Sequence, residues 1–127
     1  MKAAKPFDLS ALTTDDLVAR FTAAALAQYH ASMDFDIKTI NKAVGQLMAI
    51  TAELKARPGD QRSALLQLYD HPNNTRVRLS AARLSFALAP VRARAVIQEI
   101  ADSKKFSVAL DAGMRLSAID QGIFKPS

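Results

Sequence analysis

Two runs decide how this chain is read: Leu65-Leu66-Gln67-Leu68-Tyr69-Asp70, and after a turn Val77-Arg78-Leu79-Ser80-Ala81-Ala82. A shift of 31 residues places Leu65 on Val96, Leu66 on Ile97 and Tyr69 on Ile100. The same shift places Val77 on Val108, Leu79 on Leu110, Ala81 on Ala112, Ala82 on Gly113 and Leu88 on Ile119. The apolar pattern therefore occurs twice, each time as helix, short turn, helix. A period of this length belongs to stacked helical hairpins, each burying its apolar face on a neighbour.

Outward from the repeat, helical periodicity continues. Composition agrees: Ala occurs 24 times and Leu 14 times in 127 residues, against 19 for Val, Ile and Thr together. That balance favours helix over strand, and no strand alternation or hairpin signal is present. Six helices are predicted: about Asp15 to Ala31 with Thr14 as cap, Asp36 to Arg57, Gln61 to Tyr69, Thr75 to Leu88, Pro90 to Ala101, and Ser107 to Gln121 with Gly122 as the stop. The second helix carries Ile37, Ile40, Val44, Leu47, Thr51 and Leu54 at heptad-like spacing. It reads as one arm of an antiparallel hairpin with the first helix, with a homodimer seam as the alternative. The expected class is all-α, as stacked antiparallel hairpins with at least about 70% helix. The expected organisation is an N-terminal segment over 1–13, one helical domain over 14–122 and a tail over 123–127. Within the domain, a hairpin spans 14–57 and the two repeats span 60–89 and 90–122.

The fourth predicted helix is apolar on two sides, with Val77, Ala81, Leu84 and Leu88 on one and Leu79, Ala82 and Phe86 on the other. Such a helix is sandwiched in a stack. The last helix repeats the pattern, with Val108, Ala112, Leu116 and Ile119 against Leu110, Met114 and Ala118. No hairpin follows to cover that second strip, although terminal repeats normally turn a polar face outward. Either Ile123 and Phe124 fold back over it or another chain does, which makes Leu110, Met114, Ala118, Ile123 and Phe124 candidate interface residues.

Over residues 61–89 the pattern resembles the HEAT repeat, with an Asp at the turn followed by Val-Arg and an Ala pair. In that resemblance Asp70 and Arg78 form a structural bond from the turn to the second helix. The second repeat fits more loosely, because Ala109 stands where the Arg would be. The whole chain is also similar to a family of short bacterial proteins known only as a domain of unknown function. The features that carry this are Asp15-Asp16-Leu17-Val18, the segment Asp70 to Ala82, and the ending Gly122-Ile123-Phe124-Lys125-Pro126. That resemblance implies a helical fold and no particular activity.

Charge is uneven. The net +5 falls entirely in residues 61–127, since residues 1–60 are balanced. Arg76, Ser80 and Arg83 share a face of the fourth predicted helix, Arg92 and Arg94 lie on the fifth, and Lys104 and Lys105 lie in the turn after it. An Arg-rich helical stack can track phosphates without reading bases, so these residues are the candidate binding set. A mild excess of this size also serves solubility.

No catalytic constellation emerges. Cys is absent, so disulfides, thiol nucleophiles and Cys-ligated zinc are excluded, in keeping with a reducing compartment. His30 and His71 lack metal-motif spacing. Asp34 and Asp36 read as helix-capping groups, and the four Gly are too scattered for a phosphate loop. No cofactor or metal is implied. No run reaches the ~18 apolar residues of a membrane span, and the first residues lack a secretory core, so the cytoplasm is the expected location. The reading that results is a non-catalytic helical module for binding another protein, as adaptor, regulator or immunity-type inhibitor. Nucleic-acid binding through the basic half is the alternative.

Overall fold

The computed structural model describes residues 8–70 and 72–127. Residues 1–7, most of the expected N-terminal segment, and His71 lie outside it. Among the described residues there is no strand, and 76% are helical. The α-helices are α1 (Thr14–Met33), α2 (Ile37–Ala56), α3 (Thr75–Leu84), α4 (Pro90–Asp102) and α5 (Val108–Asp120). Three 3-10 helices join them, at Leu9–Ala11, Gln61–Leu68 and Phe86–Leu88.

Helix α1 begins one residue earlier than its sequence suggested, because Thr13 and not Thr14 is the cap. Thr13 Oγ1 accepts from the Asp16 N–H at 3.0 Å, and the Asp16 carboxylate accepts from the Thr13 N–H at 3.2 Å. This reciprocal box satisfies two helix-end groups at once. After the Asp34–Asp36 turn the chain folds back along α1, and Asp36 caps α2 through the Thr39 N–H. The hairpin buries Leu17, Val18, Phe21, Ala24 and Ala25 against Ala43, Leu47, Ile50 and Leu54. The heptad stripe holds over Leu47, Thr51 and Leu54 but not at its start. Ile37 is exposed, and Ala43 and Ile50 take inward places. A straight helix turns every 3.6 residues, so a 3.5-residue stripe drifts off the buried face along its length.

The segment Gln61–Leu68 is a 3-10 helix rather than the predicted α-helix. It is capped by the Asp60 carboxylate, which accepts from the Arg62 N–H, and it buries Leu65 and Leu68.

Helix α3 lies at the centre of the stack, in contact with α1, α4, α5 and the Gln61–Leu68 segment. Every residue from Arg76 to Ala82 is buried, as a helix apolar on two sides requires. It stops at Leu84, four residues short of the predicted end. Ser85 is fully buried and donates its hydroxyl to the Ala81 carbonyl at 2.6 Å. The Tyr69 hydroxyl then donates to Ser85 Oγ, also at 2.6 Å. A serine bonded back to the i−4 carbonyl bends a helix. Pro90 adds a second break by pushing Ala89 toward extended backbone.

The buried guanidinium of Arg78 holds the turn ahead of α3, but not through Asp70. Arg78 Nε donates to the Tyr69 carbonyl at 2.7 Å, and its NH1 pairs with Glu99 at 2.8 Å. Asp70 pairs with Arg92 instead, at 2.7 Å, and that guanidinium lies 5.3 Å from the centre of the Tyr69 ring. The expected Asp70–Arg78 bond is thus replaced by a backbone carbonyl one residue earlier. The reason is burial: Asp70 is exposed at the turn, whereas the inward-facing Tyr69 carbonyl has no water to accept from.

Helix α5 ends in a Schellman motif. Gly122 adopts φ +71°, its N–H bonds Ile119 O at 3.1 Å, and the Ile123 N–H bonds Ala118 O at 2.9 Å. A glycine suits this left-handed position because it has no Cβ to clash.

The Arg78 side chain is 4% exposed, while that of Glu99 is 56% exposed. Removing Arg78 strands a buried carbonyl; neutralising Glu99 only weakens a half-solvated pair. Arg78→Met is expected to lower unfolding free energy by about 1–3 kcal/mol and Glu99→Gln by less than about 1 kcal/mol. Urea unfolding of both variants checks this, and the reverse order would refute the assignment of the carbonyl bond.

Candidate functional site

Helix α5 closes the stack. Its inner side buries Ala112 and Leu116 against α3 and α4. Its outer side carries Leu110 and Met114, four residues apart and so stacked one turn above the other. They are 60% and 62% exposed. Ala118, the next position on that strip, is half-buried. Phe106, in the turn that leads into α5, is 90% exposed. Lys104 and Lys105 precede it and are also exposed.

The tail does not cover this strip. The Ile123 and Phe124 N–H groups both bond Ala118 O. Phe124, Pro126 and Ser127 then line a cavity with residues of α2, α3 and the Phe86–Leu88 segment. There Ser127 Oγ lies 3.5 Å from Lys55 Nζ, and Ser127 O accepts from Arg62 at 3.3 Å. The Schellman turn sets this course, because it reverses the chain toward the side of α5 that carries the Ala118 carbonyl.

The basic candidates do not gather on one surface. Arg76 is buried and pairs with Asp111 of α5 at 2.7 Å. Ser80 is buried in the stack. Arg92 is held by Asp70, and Arg94 pairs with Asp120 at 2.8 Å. Arg83 is partly buried and lines the same cavity as the tail. Arg76, Arg92 and Arg94 are therefore each paired with a carboxylate of the same half, while the net charge of +5 remains. Helical spacing placed Arg76 and Arg83 on one face, but that face turned out to be packed against α5. The signal that could have shown this is Asp111, on the same predicted face of the last helix as Val108 and Ala112.

Asp111 is the focus of three cations. Burial pushes its carboxyl up, but the hydrogen bond and charge of Arg76, with the charges of Arg115 and Arg83, outweigh that and hold it below the ordinary value of 3.8. Arg115 reaches it from the same helix at 3.1 Å.

Among the described residues, no group of three or more His, Asp or Glu side chains is placed to hold a metal ion. None of the described helices is long and apolar enough to cross a membrane. A groove of about 530 Å³ lies between α1 and α2, beside Leu9, Ala23, Gly45 and Ala49. Its lining mixes the small residues Ala23, Ala24, Gly45 and Ala49 with Arg20, Lys42 and Gln46, a mixture that apolar periodicity does not single out.

A family match covers residues 15–120, from the first turn of α1 to the end of α5, and its description is a domain of unknown function, DUF2019. The chain belongs to the DUF2019 family. A solved structure similar to this DUF2019 protein is the crystal structure of the protein RPA1889 from Rhodopseudomonas palustris CGA009. It is 47% identical, with a TM-score of 0.90, over 96% of this chain and 100% of that one. No curated protein matches the chain. The family match reaches into all five α-helices, and the solved structure shares the overall fold.

The depressed Asp111 pKa has a definite consequence. Its unfolded value is the higher one, so the unfolded chain takes up a proton first and stability falls as pH drops below about 3.8. Asp111→Asn is expected to unfold more easily at pH 7 and to lose part of the acid-induced fall in melting temperature. Melting curves from pH 7 to pH 3 check this. An unchanged acid slope in the variant would show that the Arg76–Asp111 pair carries none of it.

Proposed function

We propose that this DUF2019 protein is a non-catalytic helical module that docks another protein on the outer face of α5. The observation that carries the reading is the exposed pair Leu110 and Met114, stacked one turn apart on the last helix of the stack. Burying two such side chains at an interface is worth roughly 1.5–3 kcal/mol each, enough to serve as the apolar anchor of a modest interface. Lys104 and Lys105 border the strip at the start of α5. The partner this surface fits is therefore a protein presenting an apolar ridge with carboxylates at its edge, since opposite charge at a rim speeds and orients encounter.

A second reading rests on the same turn. Lys104, Lys105 and the exposed ring of Phe106 are adjacent, and cations beside an aromatic are the elements of single-strand nucleic-acid binding. In that case retention would fall steeply with salt, and Lys104→Glu with Lys105→Glu would abolish it.

A photo-crosslinking amino acid placed singly at 110, 114 and, as an exposed control, 27 separates the readings in cells. Protein docking predicts one discrete protein adduct from 110 and 114 and none from 27. Adducts equal at all three positions, or none at any, would contradict it. Adducts to nucleic acid at 110 would favour the second reading.

A further inference from the structure

Nine arginines lie among the described residues. Arg57, Arg62, Arg76, Arg78, Arg92, Arg94 and Arg115 each have a carboxylate within 3.1 Å, and Arg20 also has a partner. Among the described residues, Arg83 makes no hydrogen bond and no ion pair. It is not on open surface either. It stands on the last turn of α3, half-buried, at the wall of a cavity of about 260 Å³. Lys55 and Arg62 line the same cavity, and Phe86 and Phe124 supply apolar wall.

A guanidinium withdrawn from water without a partner loses solvation that none of the described residues restores. The surrounding charges do not supply one. Asp111 is the carboxylate felt by Arg83, but it is already hydrogen-bonded to Arg76 and Arg115, and both of those cations repel Arg83. Asp60 is taken up by Arg62. Burial first, and then Arg115, lowers the Arg83 pKa to about 10, so the group is still charged at neutral pH and keeps its five donors. The site thus has surplus positive charge, a planar donor fork with no acceptor, and an apolar wall beside it.

We propose that the cavity beside Arg83 binds a small oxyanion, a carboxylate or phosphate monoester carried on a compact apolar body. The Arg83 fork would take the anionic oxygens in a bidentate pair, with Lys55 adding to the field, while the body rests on Phe86 and Phe124. The cavity is of a size to hold a single ring. Neither Leu110 nor Met114 lines this cavity, so the site shares no residue with the docking strip.

The test is a titration of the full chain with benzoate and with phenyl phosphate at matched ionic strength, followed through the arginine Nε–H NMR signals. Arg83→Leu, Arg83→Lys and Arg94→Leu are titrated alongside. The expected result is a saturable shift of the Arg83 signal with a dissociation constant below about 10 mM. Whichever probe binds tighter identifies the headgroup. Arg83→Leu should weaken binding at least about tenfold, Arg83→Lys should retain part of it, and Arg94→Leu should not change it. Circular dichroism confirms that each variant is folded. No saturable shift with either probe, or equal binding in Arg83→Leu or Arg83→Lys and the parent, would overturn the proposal.

Discussion

Everything in this structure depends on α3 being buried on all sides. A central helix of ten residues has little room for polar groups, yet α3 carries Arg76, Arg78 and Ser80 inside the stack. Buried charge is tolerated only where it is paired and hydrogen-bonded. Each arginine therefore dictates a neighbour. Arg78 fixes the Tyr69 carbonyl on the chain entering α3 and reaches Glu99 on α4. Arg76 fixes Asp111 on α5. Ser85 ends the helix and receives the Tyr69 hydroxyl. Three segments, the chain at Tyr69, α4 and α5, are tied to one helix by side chains that could not be there unpaired.

The same constraint shapes the surface. Pairing Arg76 with Asp111 orients α5 so that Ala112 and Leu116 face inward and Leu110 and Met114 face out. It also gathers Arg115 and Arg76 about one carboxylate and leaves Arg83 with none. The outer apolar strip and the unpartnered guanidinium follow from one packing decision.

The hairpins, the two-faced helix and the uncovered strip were legible from apolar spacing alone, because burial follows helical period whatever the polar details. The cap at Thr13, the 3-10 form of Gln61–Leu68 and the early end of α3 were not. They turn on single hydrogen bonds, Ser85 to Ala81 above all, that period does not encode. Among candidate site residues, Leu110 and Met114 lie where the pattern placed them. Arg76 and Ser80 do not, because a basic residue on a helix face looks the same in sequence whether it meets solvent or a carboxylate on the next helix. The course of the tail was left open in the sequence for a similar reason: proximity to α5 was evident, but the direction after Gly122 depends on the Schellman turn.

Native-state hydrogen exchange tests the central role of α3 most directly. If α3 is the element on which the others depend, the amides of Arg78 to Ala82 open only with global unfolding, and their exchange free energy equals the unfolding free energy measured by urea. Amides of α5 then open at lower energy while α3 stays closed. Exchange of the α3 amides through a partial opening, at an energy below that of the α1–α2 hairpin, would contradict the account.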